Sequence, residues 1–568
     1  MFAQQVWTQP ALPERVKFAS LRKCDFFATT HNLKQAVKTF GMSDTQASLV
    51  KEIDGMLDME VFHGVLKSSL SITQIKKIIR CSTFFKEKLR DGKRTSIKAR
   101  IVADGSRQDP TIYDYDKDIS SPTVATSSVF TILAQAAAKN HYVITFDIGM
   151  AYLNAKMDSE VFMYLDPVSA AIAMKKDPTL RKFTMEDGRI IVKLDKALYG
   201  CIESARLWYE TLKDVLLQRG YKVNPVDVCV FSKQTPNGDT TNVCFHVDDG
   251  LATSSDPDEI EALAAAMNSA FTEVKFNQGT VQEYLGMRMD FTKPNSVLLT
   301  MEKYILDFTG ELFPELAGSE AKSPADGNLF EIDILSEKLP EDQRKHFHRG
   351  VAQALYLATR VRPDILVATI FLTTRVGVAT EEDLSKLKRL VRYLIGTSHL
   401  GLNLGGNENG EVQLIVYPDA SYGVHANGKS HSGICITLGR GVVLAKSSSQ
   451  KIVTKSSCEA ELVTLSDGAS LGMYLKNFMF EAGMGDAPGM IREDNMSTIK
   501  MAKNGRSNSD RTKHINIRYF FVKQFLDSGE FNIEHCATEN QIADILTKPL
   551  QGDHFLRLRD ILLGYKLP

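Results

Sequence analysis

The chain has 568 residues, a formal net charge of −1, 43% hydrophobic residues and 24% charged residues. At roughly 150 residues per domain the length predicts three or four domains, and the near-neutral charge means that any polyanion-binding surface must be local. The eight cysteines include no Cys-x-x-Cys pair, which argues against a zinc site or a secreted disulfide framework. The sequence shows no signal peptide and no apolar run of bilayer length, so we expect a soluble intracellular protein without membrane contact.

The N-terminal part of the chain predicts a helix and then a pair of strands. Residues 1–43 are weakly patterned, and we expect a linker or a remnant of an upstream segment. A helix is predicted from Asp44, which can cap it, because apolar residues then recur on one face. Residues 80–105 predict two strands around a turn at 91–92.

Two strand-like apolar runs end in acidic residues. Residues 142–146 lead into Asp147, and residues 243–247 lead into Asp248 and Asp249. A buried strand normally avoids Asp, because a lone charge in low dielectric is costly. Three converging carboxylates call for divalent cations, and two cations form a clamp for in-line phosphoryl transfer. The alternative is a surface turn at Asp248-Asp249, because Asp is common in turns.

The C-terminal part of the chain divides into a connector, a mainly helical segment and an α/β unit. Residues 315–340 are rich in Gly, Pro, Ser, Asp and Glu and predict a connector, and residues 341–400 predict mainly helices. The glycine-rich segment 401–410 indicates a boundary, after which a strand at 412–417 opens a new α/β pattern. Since helices and strands mix upstream without a regular βαβ rhythm, the fold class is α+β.

Four acids recur in this C-terminal unit. Asp419 follows a strand, Glu459 starts a helix, Asp494 follows a short strand-like run and Asp544 lies in a terminal helix. Two-metal ribonucleases cut phosphodiesters with an Asp-Glu-Asp-Asp set of this kind. Acids are common in proteins, so the argument depends on their surroundings.

Those surroundings, together with the upstream motifs, resemble the reverse transcriptase and ribonuclease H of Ty1/copia-class long-terminal-repeat retrotransposons. The polymerase motifs stand in this chain as K-A-R-I-V-A-D-G-S-R-Q at 98–108, F-D-I-G-M-A-Y-L-N-A at 146–155, L-D-K-A-L-Y-G-C-I-E-S-A-R-L-W-Y at 194–209, H-V-D-D at 246–249 and Y-L-G at 284–286. The ribonuclease H motifs stand in this chain as Y-P-D-A-S at 417–421, S-S-C-E-A-E at 456–461, E-D-N at 493–495, R-T-K-H-I at 511–515 and Q-I-A-D-I-L-T-K-P at 541–549. Order and spacing match over most of the chain.

The resemblance implies a right-hand polymerase with fingers, palm and thumb, followed by a connector and a ribonuclease H-like α/β domain. The expected division is a linker or remnant at 1–43, fingers and palm at 44–300, thumb and connection at 301–405, and ribonuclease H at 411–568. Each active site would hold two Mg²⁺ ions, with Mn²⁺ as the alternative. The implied catalytic and metal-binding residues are Asp147, Asp248, Asp249, Asp419, Glu459, Asp494 and Asp544.

Two details of these metal sites follow from local geometry. Asp248 and Asp249 on a tight hairpin point to different sides, so we expect one of them to chelate both metals while the other tunes the site. Glu459 and Glu461 are two residues apart on a helix and face different sides, so only one can reach the metals. The match to the family motif favours Glu459.

The resemblance also implies a nucleotide pocket. Lys98 and Arg100 would grip the triphosphate, with a surface basic strand as the alternative. Tyr152 would exclude a 2′-hydroxyl, with a core aromatic as the alternative. Tyr199 and Gly200 would line the pocket, where glycine permits close backbone approach.

Two histidines have weaker implied roles. His246 replaces the family's usual tyrosine, which puts the contact with the primer end in question. His514 would aid product release or contact the hybrid, and a structural histidine is equally expected. The triplet 527–529 matches the Asp-Ser-Gly of retroviral-type proteases, but no protease-sized β domain surrounds it, so we set it aside.

The resulting function is an RNA-directed DNA polymerase with fused ribonuclease H, part of a polyprotein that copies retrotransposon RNA into DNA for integration. Expected partners are an RNA template, a DNA primer, the RNA/DNA hybrid and deoxynucleoside triphosphates, with a dimer or other element-encoded proteins as further partners. The expected location is a cytoplasmic virus-like particle, the nucleus, or both. The alternative is a catalytically weak or domesticated nucleic-acid-binding relative, which would not need the seven acids. An unrelated two-metal phosphatase would leave the flanking motifs unexplained.

Overall fold

The computed structural model describes residues 30–90, 93–108, 121–505 and 516–568. Its helices are α1 (Leu33–Phe40), α2 (Met42–Asp58), α3 (Ile72–Lys76), α4 (Thr126–Ala138), α5 (Pro167–Lys176), α6 (Ser204–Gln218), α7 (Pro257–Ala270), α8 (Glu302–Leu312), α9 (Glu341–Ala358), α10 (Leu366–Arg375), α11 (Glu381–Gly396), α12 (Ser457–Glu481), α13 (Met496–Asn504), α14 (Asn516–Asp527), α15 (Asp544–Thr547) and α16 (Gly552–Leu562). Its strands are β1 (His31–Asn32), β2 (Phe62–Val65), β3 (Ile79–Arg90), β4 (Lys93–Ala103), β5 (Tyr142–Ile148), β6 (Phe162–Leu165), β7 (Ile190–Leu194), β8 (Lys222–Val223), β9 (Val230–Gln234), β10 (Thr240–His246), β11 (Asp249–Ser254), β12 (Val274–Asn277), β13 (Val281–Tyr284), β14 (Met287–Asp290), β15 (Ser296–Thr300), β16 (Leu402–Gly405), β17 (Ile415–Ser421), β18 (His431–Thr437), β19 (Val442–Ser449), β20 (Gly489–Glu493) and β21 (Phe531–His535).

The first sheet carries the predicted strand pair as a long antiparallel hairpin of β3 and β4. Its strand order is β1-β3-β6-β7-β2, and β4 is a further strand that pairs with β3. The turn predicted at 91–92 lies outside the described residues. Helix α2 packs on this sheet because Leu49, Ile53 and Met56 share one buried face with Phe85 and Ile101 of the hairpin.

The N-terminal boundary differs from the expectation of a linker up to residue 43. His31 and Asn32 pair with β3, and α1 buries Ala36 and Phe40 in the core of the first sheet. A capping box at Asn32 starts α1, a local signal that the sequence carries. The described part of the segment therefore belongs to the first sheet, and α2 begins at Met42 rather than at Asp44.

The second sheet is antiparallel, with strand order β12-β5-β11-β10-β9-β8. Side chains alternate across it, as a strand period of two requires. Phe146 and Phe245 face α6 and α7, whereas Cys244 and Leu251 face α4. Both faces are covered, so the strands read as continuous apolar runs until their acidic ends.

The third sheet, β13-β14-β15-β16, joins the helices of the C-terminal half to the polymerase-like part. The helices predicted in 341–400 are α9, α10 and α11. Strand β16 pairs with β15 through contacts such as Val297 with Leu404. The glycine-rich segment predicted as a boundary therefore begins as a strand of the third sheet.

The fourth sheet is mixed, with strand order β19-β18-β17-β20-β21. The pairs β17–β18 and β18–β19 are antiparallel, whereas the pairs β17–β20 and β20–β21 are parallel. Helix α12 packs across it, with Leu462, Leu465 and Ala469 buried against Val416 and Ile434. Because β17 runs to Ser421, Asp419 lies inside the strand rather than after its end.

The fourth sheet is docked directly on the back of the second. The side-chain amide of Asn224 donates to the Phe478 carbonyl, and that of Asn242 donates to the Ala482 carbonyl, each over 3.2 Å and buried. One hydrophobic cluster runs from α4 through the third sheet to α12 without a break. The two units therefore share a core. Among the described helices, none combines the length and apolar character needed to cross a bilayer.

Candidate active sites

The first candidate site lies where β5 meets the β10–β11 hairpin. Asp249 is opposite Asp147 in the antiparallel register, and Asp248 occupies the turn between β10 and β11. One carboxylate oxygen from each of the three acids lies within 4.8 Å of the others. All three side chains are half-buried. Both adjacent aspartates thus offer an oxygen to the cluster, and the expectation that one of them chelates both metals while the other tunes the site stays a prediction.

A strained turn fixes this hairpin. Val247 has φ = 63°, a left-handed conformation that a β-branched residue rarely adopts. The Trp208 indole donates to the Val247 carbonyl over 2.7 Å, and the Ile148 amide donates to the Asp248 carbonyl over 2.9 Å. These two bonds hold the strained residue and thereby set the direction of the neighbouring carboxylates.

The residue after the acidic pair must be small. A Cβ on Gly250 would lie 2.4 Å from the ring of Phe146, which precedes Asp147 on the paired strand. Phe146 packs edge-on against Phe245 and at a tilt against Phe276, with centroids 5.3 and 5.4 Å away. This aromatic core holds the ends of the two strands together just behind the carboxylates.

A cleft of about 630 Å³ opens beside Asp147. The predicted residues Lys98 and Arg100 line it from β4, and Tyr199 lines it from the opposite side. The Arg100 guanidinium carbon lies 5.0 Å from the centroid of the Tyr199 ring, which stacks edge-on with Tyr152 at 4.8 Å. Burial raises the pKa of Tyr199 to about 12, so the phenol stays neutral.

Gly200 lies where the wall of this cleft contacts the end of β4. It has φ = 95°, and a Cβ there would lie 2.1 Å from the Ala103 carbonyl oxygen. The Ala103 amide donates to the Tyr199 carbonyl over 2.7 Å. The close approach that glycine allows therefore ties the end of β4 to the pocket wall.

Further charged residues of the cleft were not predicted from the sequence. Lys51 and Glu52 lie on α2, and Lys275 lies on β12 opposite Asp147. Burial raises the pKa of Glu52, against the opposing effects of the Ile101 amide and of the Lys98 and Arg100 charges. No local motif marks these residues, because they reach the cleft only through packing of α2 and β12. His246 is half-buried on β10, opposite Asp249.

The second candidate site lies on the fourth sheet. One carboxylate oxygen from each of Asp419, Glu461 and Asp494 lies within 4.8 Å of the others. Asp419 and Glu461 are buried, with 2% and 7% of their surface exposed. Asp544, at the start of α15, adjoins this set, since its carboxyl acts directly on the pKa of Asp419.

The structure corrects the expected glutamate from Glu459 to Glu461. The Glu459 carboxylate accepts the Lys455 amide over 2.7 Å at the start of α12, where it complements the free amides and the helix dipole. Two positions later the helix has turned, and Glu461 faces Asp419 and Asp494. Only one of the pair reaches the other acids, as expected, but the motif match selected the other member.

Electrostatics make the second site costly without a cation. Burial, with a further contribution from the neighbouring carboxylates, raises the pKa of Asp419 to about 6 and that of Glu461 to about 11. Burial also raises the pKa values of Asp494 and of Glu493, which precedes it on β20. Glu461 Oε2 is buried without a hydrogen-bond partner among the described residues. An unsatisfied buried carboxylate oxygen amid other carboxylates fits a divalent cation.

The structure adds three neighbours of these acids. The Thr547 hydroxyl donates to Asp419, the Lys548 ammonium forms ion pairs with Asp419 and Asp544, and His554 Nε2 lies 3.9 Å from Asp544. Thr547 and Lys548 lie in the motif that contains Asp544, which is the signal that could have indicated them. His514 and the rest of the 511–515 motif lie outside the described residues.

The fold thus carries two separate clusters of acidic side chains, one on the second sheet and one on the fourth. Residues 70–311 match the family model "Reverse transcriptase (RNA-dependent DNA polymerase)". The chain is 28% identical over 495 residues to the retrovirus-related Pol polyprotein from transposon TNT 1-94 of Nicotiana tabacum, covering 86% of this chain and 36% of that protein. It is 29% identical over 485 residues to that from transposon RE1 of Arabidopsis thaliana, covering 84% of this chain and 31% of that protein. Residues 70–311 are thus similar to the reverse transcriptase family, and the chain spans about a third of the length of these two Pol polyproteins.

A solved structure extends the likeness in fold. The foamy viral protease-reverse transcriptase dRH in complex with ds DNA is 14% identical, with a TM-score of 0.51, over 87% of this chain and 69% of that one. The predicted fold class is therefore confirmed: an α+β right-hand polymerase with a connector and a ribonuclease H-like α/β unit.

Proposed function

We propose that this chain is an RNA-directed DNA polymerase with a fused ribonuclease H. The observation that carries the proposal is the convergence of Asp147, Asp248 and Asp249 beside a cleft lined by Lys98 and Arg100, within the region that matches the reverse transcriptase model. The proposed domains are fingers and palm at 31–300, thumb and connection at 301–405, and ribonuclease H at 411–568.

The three aspartates would hold two Mg²⁺ ions. When bound, such ions lower the pKa of the primer 3′-hydroxyl and offset the charge of the leaving pyrophosphate. Lys98 and Arg100 bind the triphosphate of a deoxynucleotide, and the Arg100 guanidinium is oriented by its packing on Tyr199. Tyr152 backs Tyr199 and limits the space for a 2′-hydroxyl. The template is RNA and the primer is DNA.

The second centre would cut the RNA strand of the resulting hybrid. Asp419, Glu461, Asp494 and Asp544 supply oxygen ligands suited to Mg²⁺ or Mn²⁺. Recognition of the hybrid rests on backbone charge, groove shape and 2′-hydroxyl contacts, so we expect little sequence preference.

The direct test is Mg²⁺-dependent extension of a DNA primer on an RNA template. We expect extension by the wild-type chain, loss of extension in an Asp248→Asn, Asp249→Asn double variant, and retained hybrid cleavage in that variant. An Asp419→Asn variant should lose hybrid cleavage and keep primer extension. Tight template binding without any extension by the wild-type chain would instead favour the nucleic-acid-binding alternative.

A further inference from the structure

Lys548 is the cation of the second centre. Its ammonium lies 2.5 Å from Asp544 Oδ1 and 3.6 Å from Asp419 Oδ2. The two carboxylates are almost fully buried, with 5% and 2% of their side-chain surface exposed, whereas Lys548 is 37% exposed. The ammonium thus enters a buried acidic pocket from its solvent side.

The placement of Lys548 follows from the short helix α15. Lys548 follows directly after α15, and its backbone amide donates to the Asp544 carbonyl over 3.0 Å, which keeps the two residues side by side. The Thr547 hydroxyl donates to Asp419 Oδ2, the same oxygen that Lys548 approaches. The end of α15 therefore directs two donors at the carboxylate oxygens on which a divalent cation would have to bind.

Lys548 is nearly alone in compensating the negative charge. Four carboxyl groups, those of Asp419, Glu461, Asp494 and Asp544, converge here. Among the described side chains, the other basic group within ion-pair distance of these acids is the exposed His554, 3.9 Å from Asp544. A fixed monovalent cation that contacts two of the ligands both lowers their mutual repulsion and opposes a divalent ion electrostatically.

We propose that Lys548 is a tethered counter-cation that competes with divalent metal for Asp419 and Asp544, so that metal binding at the nuclease centre requires its displacement. This inference rests on the proposed nuclease function of the centre. It makes the metal requirement of the nuclease adjustable through one side chain, while the polymerase centre, which has a separate set of acids, is unaffected.

The test measures metal binding directly. In the Asp248→Asn, Asp249→Asn background, a Mn²⁺ titration followed by electron paramagnetic resonance reports the second centre, and a further Asp419→Asn change identifies that signal. Lys548→Met keeps the apolar stem and removes the charge, and we expect the Mn²⁺ dissociation constant to fall about tenfold, equivalent to about 1.4 kcal/mol. Lys548→Arg keeps the charge and should bind Mn²⁺ nearly as the background protein does.

The outcomes separate the two claims. If no Mn²⁺ signal depends on Asp419, the proposed nuclease centre itself is refuted. If the signal depends on Asp419 but Lys548→Met leaves the affinity unchanged or weakens it, the competition is refuted. A measurement on the wild-type chain avoids any folding defect of the variants: Mn²⁺ should increase the rate at which an amine-specific reagent labels Lys548, as read by mass spectrometry. Unchanged or slower labelling would overturn the inference.

Discussion

Replacing Glu461 by Gln should abolish hybrid cleavage while leaving primer extension intact. When metal is bound and Glu461 is ionised, the change removes one unit of negative charge from a buried set whose oxygens lie within 4.8 Å of one another. At an effective dielectric constant of about 20, two opposite unit charges 4 Å apart attract each other by ~4 kcal/mol. Loss of about 4 kcal/mol corresponds to roughly 10³-fold in rate.

Glu459→Gln is the matched control on the same helix. It keeps an oxygen that can accept the Lys455 amide but removes a negative charge from the first turn of α12, so we expect a stability loss of about 0.3–1 kcal/mol and near-normal cleavage. The assay is cleavage of a labelled RNA/DNA hybrid by both variants at saturating Mg²⁺. Normal cleavage by Glu461→Gln together with loss of cleavage in Glu459→Gln would refute the assignment.

The stability difference between Glu461→Gln and wild type should depend on pH. Burial and neighbouring carboxylates raise the pKa of Glu461 far above its ordinary 4.5, so the native state keeps a proton that the unfolded chain releases. Metal-free wild-type protein therefore loses stability as the pH rises above about 4.5, by up to ~1.4 kcal/mol per pH unit for this group. Since Gln does not ionise, Glu461→Gln should be the more stable protein in EDTA, by more at pH 8 than at pH 6. If urea unfolding gave the same difference in free energy of unfolding between wild type and Glu461→Gln at pH 6 and at pH 8, the prediction would be wrong.

Other consequences concern the remaining parts of the fold. Gly200→Ala should lower the free energy of unfolding by about 1–3 kcal/mol more than Gly238→Ala, which has a similar positive φ but no atom within 4 Å of the added Cβ; equal losses in thermal unfolding would remove the role of close packing. Trp208→Phe should slow extension about tenfold at unchanged hybrid cleavage, because one hydrogen bond to the strained turn is lost; a parallel loss of both activities would indicate general misfolding instead. Burial lowers the pKa of His431 from 6.5 to about 3, so stability should fall by ~1.4 kcal/mol per unit as the pH drops below 6.5, and His431→Asn should lack this slope; identical slopes would exclude His431 as the cause. The fragment 411–568 alone should not unfold cooperatively, because α12 shares its core with the second sheet; a fragment as stable as the intact chain would contradict the shared core.

The sequence was informative where the chemistry is local. An acid that ends an apolar run is unusual enough to mark the ends of β5 and β10, and the register of the second sheet then brings Asp147, Asp248 and Asp249 together. The pairing of β3 with β4 agrees with the two strands predicted around a turn in residues 80–105.

The sequence was less informative where rotation or tertiary packing decides. Glu459 and Glu461 differ only by 200° of helix rotation at 100° per residue, and a motif match does not say which side faces the sheet. Glu52 reaches the cleft because α2 packs on β4, and Lys548 reaches Asp419 because α15 docks beside β17. Helix α1 was not predicted because the pattern before residue 43 is weak and the helix is stabilised by burial of Phe40 in the core of the first sheet.

The central claim is that two separate metal centres act in one chain. It is tested most directly in a single reaction that contains a 5′-labelled DNA primer on a differently labelled RNA template, with Mg²⁺ and deoxynucleotides. The account predicts extension and RNA cleavage by the wild-type chain, cleavage alone by the Asp248→Asn, Asp249→Asn variant, and extension alone by Glu461→Gln. Loss of both products in either variant, with the protein still folded, would contradict it.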